Sequence, residues 1–240
     1  SLRPKKFDAA ILLQNAIEAA IIAYVAGIGV RAGYSTDGRG FLLTHPVRRS
    51  ADILRVHQID YYLEMVKALG CADVDHSLRL ETSLSTATTR EILRKYLPEN
   101  NRPLIGIAPG AMYGPAKRWL PERFAQAGES LAKKLDAQVL LFGGGDDWET
   151  AELVRGQAQT DMMNLAGRTS LEDSVYLISQ CRLFLSNDSG LMHVAGGLNI
   201  PTVAIFGSTN PVTTSPAGER TTLVRKETPC SPCLKKTCPT

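Results

Sequence analysis

Residues 181–211 hold the densest set of side chains that could act on a ligand. An apolar run, Leu183-Phe184-Leu185, stops at Ser186-Asn187-Asp188-Ser189-Gly190. A helix-like run opens at Leu191 and carries His193. After Leu198-Asn199-Ile200-Pro201, a second apolar run, Val203-Ala204-Ile205-Phe206, ends in Gly207-Ser208-Thr209-Asn210-Pro211. The pattern predicts a right-handed βαβ unit with both polar turns at the C-terminal edge of a parallel sheet. Ligands of open α/β sheets bind at that edge. A helix opening there offers free N–H groups and a positive dipole end, which suit an anion, most simply a diphosphate. A carboxylate beside a phosphate repels it, so Asp188 fits better as a cap or as an acceptor for a sugar hydroxyl. The plainer alternative makes Asp188 or Ser189 an N-cap and His193 a packed helix residue.

A second loop at the same edge runs from Pro109 to Trp119, Pro-Gly-Ala-Met-Tyr-Gly-Pro-Ala-Lys-Arg-Trp. Its two glycines let the backbone approach a ligand closely. Lys117 and Arg118 put positive charge beside the expected diphosphate; a solvated basic pair on a surface loop is the alternative. Trp119 suits packing better than stacking. Phe142-Gly143-Gly144-Gly145-Asp146-Asp147 lacks the Lys-Ser/Thr of a phosphate-binding loop, and a glycine turn with a helix N-cap explains it as well. Near the N-terminus, Asn15 and Glu18 open a helix at a comparable edge, and a plain helix start is the simpler account. Cys230, Cys233 and Cys238 are spaced C-x2-C-x4-C and could begin a zinc or iron–sulfur site. A fourth ligand is missing, so no metal is expected, and this terminal segment is expected to be mobile. His45, His57 and His76 show no metal-ligand spacing.

Alternating elements must carry these loops. Strands are predicted over 104–108, 138–142, 162–165, 182–186, 202–206 and 222–225, with helices over 121–135, 147–157, 170–180 and 190–197. Pro121 and Ser170-Leu171-Glu172-Asp173 mark two of the helix starts. Such alternation predicts a doubly wound parallel sheet. Residues 96–103, with two prolines and two asparagines, predict a linker. The section before it is poorer: a strand at 7–13, a helix to 26, strands at 30–34 and 41–43, and a helix over 53–69. The expected division is thus 1–98 and 102–240. The 240 residues are 44% hydrophobic and 21% charged, as in ordinary globular proteins. A net charge of +3 is too weak to argue for nucleic acid. The most apolar stretch, 19–30, is about half a bilayer span, so neither a signal peptide nor a spanning helix is expected. Five cysteines without framework spacing point to a reducing cytoplasm.

Asn187-Asp188-Ser189-Gly190-Leu191-Met192-His193-Val194-Ala195, followed by Pro201 and Phe206-Gly207-Ser208, resembles the bacterial ADP-heptose:lipopolysaccharide heptosyltransferases, in particular those of type II. The Lys117 loop adds to the resemblance, which covers nearly the whole chain. It implies an α/β, GT-B-like fold of two Rossmann-like domains with parallel sheets. The N-terminal domain would be the acceptor side and incomplete, and the C-terminal one would bind the nucleotide sugar. The implied activity is inverting transfer of heptose from ADP-heptose to the lipopolysaccharide inner core, without metal or cofactor. The implied place is the cytoplasm, with peripheral contact at the inner face of the inner membrane and no nucleic-acid partner. Implied donor-binding residues are Lys117, Asp188, Ser189, Gly190, Leu191, His193, Thr169 and Ser208. The resemblance places an acid for the ribose at Asp146 or Asp147, and the 166–170 turn beside the adenine through its backbone. The catalytic base of the family would lie before residue 1, which implies a chain truncated at both ends that binds donor without turning it over. The alternatives are a non-catalytic nucleotide-sugar-binding fragment or another GT-B enzyme, such as a sugar-nucleotide epimerase.

Overall fold

A computed structural model describes residues 2–72, 75–97, 100 and 102–238. The chain forms two compact units, Ser1–His76 and Ser77–Thr240. The first holds β1 (Ala9–Leu12), α1 (Ile17–Val25), β2 (Val30–Tyr34), β3 (His45–Val47) and α2 (Gln58–Ala68), with a three-stranded parallel sheet in the order β1-β2-β3. Residues 41–43 do not form the expected strand. A 3-10 turn, Arg39–Leu42, follows Gly38, whose φ of 68° needs a residue without a side chain, and Phe41 lies exposed. The third strand comes later, at His45–Val47, and contains Pro46. A proline is tolerated there because β3 is an edge strand.

The second unit holds α3 (Thr86–Tyr96), β4 (Leu104–Ala108), α4 (Pro121–Leu135), β5 (Gln138–Leu141), α5 (Trp148–Gln157), β6 (Met162–Asn164), α6 (Leu171–Ser179), β7 (Cys181–Asn187), α7 (Gly190–Gly197), β8 (Thr202–Phe206), α8 (Pro211–Thr214) and β9 (Thr221–Arg225). Its six strands are all parallel, in the order β6-β5-β4-β7-β8-β9. The chain begins in the middle of the sheet, winds outward through β5 and β6, then returns to the other side of β4. The order therefore reverses between β4 and β7, and a crevice opens at their C-terminal ends.

Alternation along the strands builds two cores. Ile105, Ile107, Val139 and Leu141 face α4 and α5, packing on Phe124, Ala151 and Val154. Leu104, Ala108, Leu140 and Phe142 face the other side, with Leu177, Ile178, Phe184 and Ala195. Every residue of β4 is buried, as a central strand covered on both faces requires. Helix α3 belongs to this second core through Ile92 and Tyr96. The Tyr96 hydroxyl also donates to Asp173 at 2.9 Å. The division at 76/77 therefore precedes the expected boundary near 98–102, because packing assigns α3 to the second unit. Pro98, Glu99 and Asn101 of the expected linker lie outside the described residues. Among the described residues no helix is long and apolar enough to cross a membrane.

Gly106 lies against the Phe184 ring, and a Cβ there would come within 2.4 Å of Cδ2. Gly106→Ala should therefore lower the unfolding free energy by about 1–3 kcal/mol, the range for overpacked cores. Urea denaturation reads this, and unchanged stability would mean that the ring has room to move. Burial also pushes the Cys181 thiol up to about 12. A thiol reagent at pH 8 should label exposed Cys71 and Cys230 and spare Cys181 until denaturant is added. Mass spectrometry of peptides from native protein showing Cys181 modified would contradict this.

Candidate functional site

The crevice at the reversal point is closed by two loops, 109–120 after β4 and 188–189 after β7. Asn187, the last residue of β7, is fully buried and joins them. Its Oδ1 accepts the Trp119 backbone N–H at 2.9 Å, and its Nδ2 donates to the Pro109 carbonyl at 2.7 Å. One side chain thus fixes both ends of the β4 loop to the end of β7. Trp119 packs edge-on to Phe124 with ring centroids 5.2 Å apart, as its expected packing role requires.

Lys117 and Asp188 meet across this junction. Lys117 Nζ lies 2.6 Å from Asp188 Oδ2, with side chains only 14% and 4% exposed. Thr209, on the loop after β8, donates its hydroxyl to the same oxygen. Among the described residues both contacts fall on Oδ2. The ammonium also sits 5.0 Å from the centre of the Tyr113 ring. Asp188 does not cap α7. Ser189 occupies the N-cap position without a side-chain cap bond, and its hydroxyl instead pairs with Ser186 at 3.1 Å. Among the described residues the N-cap side chain thus leaves the first N–H groups of α7 uncapped. His193 lies in that first turn.

Beside this helix start is a cavity of about 430 Å³, with Gly110, Asp147, Thr169, Ser189, Gly190 and Leu191 among its walls. Asp147, not exposed Asp146, faces it. The Asp147 carboxylate accepts the Gly144 N–H at 3.0 Å and so also acts as the turn's cap. It packs directly on Gly110, where a Cβ would fall 2.0 Å from Asp147 Oδ1. The glycine at 110 thus makes room for the acid. Thr169 pairs with Ser174 at 2.7 Å. Ser208 is buried at the end of β8, and its Oγ has no hydrogen-bond partner among the described residues.

The expected residues therefore fall into groups. Thr169, Ser189, Gly190 and Leu191 share the cavity wall, and Lys117 and Asp188 form an ion pair. His193 and Ser208 stand outside that wall. Arg118 is exposed and its Nε donates to Ala111 within its own loop. Sequence reasoning missed Asn187 and the side-chain role of Thr209. A polar residue at the buried end of an apolar strand was the available signal for the first.

The C-terminal segment is not loose, contrary to expectation. Ser231 Oγ donates to Gly207 O at 2.6 Å, and Leu234 N donates to Ser208 O at 2.8 Å. Tyr113 Oη donates to Leu234 O at 2.6 Å, and Ala116 N donates to Lys236 O at 3.0 Å. These bonds satisfy backbone groups that a loose tail would leave to water. Among the described residues no group of three or more His, Cys, Asp or Glu side chains is arranged to hold a metal.

In the first unit, Asn15 and Glu18 lie after β1 as expected, but Asn15 is used internally. Its Oδ1 accepts from Tyr61 Oη at 3.0 Å, and its carbonyl accepts from Thr36 at 3.0 Å. Arg39 is fully buried beneath this loop. It donates to the carbonyls of Tyr34 at 2.9 Å, Ala16 at 3.2 Å and Gln14. Burial lowers its pKa from the ordinary guanidinium value. Asp37 accepts the Ile17 N–H and caps α1 from outside. Glu18 is exposed on the first turn of α1.

Comparison with known proteins places these features. The model of glycosyltransferase family 9 (heptosyltransferase) matches residues 1–240. Lipooligosaccharide heptosyltransferase 2 of Haemophilus influenzae is 33% identical over 94% of this chain and 67% of its own length. Lipopolysaccharide heptosyltransferase 2 of Escherichia coli is 32% identical over the same shares. The solved structure of E. coli ADP-heptose lps heptosyltransferase II superposes with a TM-score of 0.83 at 31% identity, over 95% of this chain and 71% of that one. The chain thus spans about two-thirds of the length of these relatives, and it has the α/β, GT-B-like fold with parallel sheets expected from the sequence.

Asn187→Ala should destabilise the second unit by at least about 2 kcal/mol. It leaves the Pro109 carbonyl and the Trp119 N–H without their partner, at roughly 1–3 kcal/mol each. Urea denaturation checks this, and a loss under about 0.5 kcal/mol would show that water replaces the amide.

Proposed function

Because the chain belongs to glycosyltransferase family 9, the heptosyltransferases, we propose that it transfers a heptose from ADP-heptose to a sugar hydroxyl of the lipopolysaccharide inner core, with inversion. The observation that carries this reading is the cavity at the sheet's reversal point, walled by a helix N-terminus whose N-cap side chain makes no cap bond and by a carboxylate, next to a half-buried lysine. In this reading the first unit serves the acceptor and the second holds the nucleotide sugar. The work is done at the cytoplasmic face of the inner membrane, on an acceptor anchored there.

The nucleoside occupies the cavity. Asp147 accepts from ribose hydroxyls, with Gly110 leaving it space, and the Thr169 turn lies by the base. The diphosphate meets the N–H groups of Ser189, Gly190 and Leu191, with His193 in the same turn. Lys117 stands alongside, and Asp188 and the loop-fixing Asn187 hold it in place. Asp188 Oδ1 serves a hydroxyl of the donor sugar, and the Ser208 hydroxyl, without a hydrogen-bond partner among the described residues, supplies a further polar contact. As the bond from heptose C1 to the diphosphate oxygen breaks, negative charge grows on the leaving group. Fixed N–H dipoles and the Lys117 cation stabilise that charge without reorganising. These groups supply positive charge themselves, so the reading invokes no resident metal.

Calorimetric titration with ADP, GDP and UDP tests the donor, and ADP should bind tightest. Lys117→Ala should weaken ADP by about 1–3 kcal/mol, the range for a charge-assisted hydrogen bond, and adenosine far less. Equal losses for both ligands would mean that Lys117 only supports the loop. UDP binding as tightly as ADP would sink the assignment of the donor.

A further inference from the structure

The Lys117–Asp188 pair is close to electrically neutral, because Lys117 shares its charge with a carboxylate 2.6 Å away. A nucleoside diphosphate carries at least two negative charges. Arg118, its sequence neighbour, is engaged with Ala111. A second cation nevertheless stands close by, and it comes from the far end of the chain. Lys236 Nζ lies 5.8 Å from the centre of the Tyr113 ring, the same ring that Lys117 approaches at 5.0 Å.

This placement is built rather than incidental. The Lys236 carbonyl accepts the Ala116 N–H at 3.0 Å, one residue before Lys117. Gly114, at φ 153°, has no side chain because a Cβ would meet that carbonyl at 2.4 Å. Tyr113 is itself fixed by its hydroxyl bond to Leu234 O. Leu234 N is bonded to Ser208 O, and Ser231 to Gly207 O, so the same segment spans the loops after β4 and β8. Among the described residues Lys236 has no carboxylate within ion-pair distance. Two ammonium groups around one ring repel each other, and a cation–π contact returns only about 0.5–1 kcal/mol at exposed sites. An anion between or beside them turns that repulsion into attraction.

We propose that Lys236 is a second diphosphate-binding residue of the donor site, carried by the strap of residues 231–236 that also positions the Lys117 loop. This rests on the reading of the site as one for a nucleoside diphosphate sugar. Lys236 Nζ contacts the phosphate bearing the sugar and shares with Lys117 the charge that grows there as the sugar leaves.

The test is calorimetric titration of ADP and adenosine into the 240-residue protein and three variants, Lys236→Ala, Lys236→Arg and Lys235→Ala. Lys236→Ala should weaken ADP about tenfold, as loss of one charge-assisted contact does, and leave adenosine within twofold. Lys236→Arg should restore most of the ADP affinity. Lys235→Ala removes the same net charge from a neighbouring exposed position and should change ADP less than twofold. Unchanged ADP affinity in Lys236→Ala overturns the proposal, as do equal losses of ADP and adenosine, which would mark a purely structural strap. Equal effects of Lys235→Ala and Lys236→Ala on ADP also overturn it, because the effect would then be general charge. Wild-type protein that fails to bind ADP would instead overturn the underlying donor reading, and this inference with it.

Discussion

The buried amide of Asn187 is the constraint on which the rest of the site depends. A parallel sheet that reverses its order leaves a crevice, but the loops over it have no reason of their own to hold still. Residues 109–119 of the β4 loop include two glycines and two prolines, and Met112 and Tyr113 are exposed, so apolar burial along most of the loop does little to fix its path. An amide can donate and accept at once, and here it does both, at opposite ends of that loop. With the ends fixed, Lys117 reaches Asp188, Gly110 meets Asp147, and Trp119 turns into the core on Phe124. Each of these contacts presupposes the loop path that the amide sets.

The electrostatics follow from that geometry. Asp188 takes Lys117 and Thr209 on one oxygen, which spares the lysine the cost of being half-buried alone. The same contact moderates its attraction for anions. The proposed donor site would therefore spread its positive character over several weak elements: helix N–H groups, a paired lysine and loop amides. In the first unit the solution differs. Arg39 is buried with carbonyl oxygens as its partners and organises a turn, which makes that region stiff and polar without making it strongly charged at the surface.

Much of this was legible in the sequence. Strand and helix positions in the second unit follow from short apolar runs between glycine- and proline-bearing turns, and the predicted elements match to within a few residues. Lys117 and the 188–191 turn were visible because charged and small residues interrupt otherwise apolar patterning. Helix α3 was not, since Thr86, Thr88 and Thr89 are poor helix formers and tertiary packing of Ile92 and Tyr96 decides the matter. The Ser85 cap on Thr88 was the one local signal. Which of Asp146 and Asp147 faces the cavity is not legible in spacing, because it depends on which carboxylate the backbone turn presses against Gly110. The order of the tail is not legible in composition because its partners lie well away in sequence, at 207–208 and, more than a hundred residues earlier, at 113–116.

That long separation sets an order of events at the ribosome. Residues 113–116 emerge early, with most of the sheet still to be made, while the strand-end loop at 207–208 and the strap at 231–236 follow much later. Contacts of such high sequence separation form slowly, because the intervening chain must first be organised. The sheet and its two cores can assemble before the lysine loop has acquired its final tether. A nascent chain would pass through a stage in which its core is folded but the loop after β4 is still untethered. The tether at 231–236 would then form as a late and separate step of maturation.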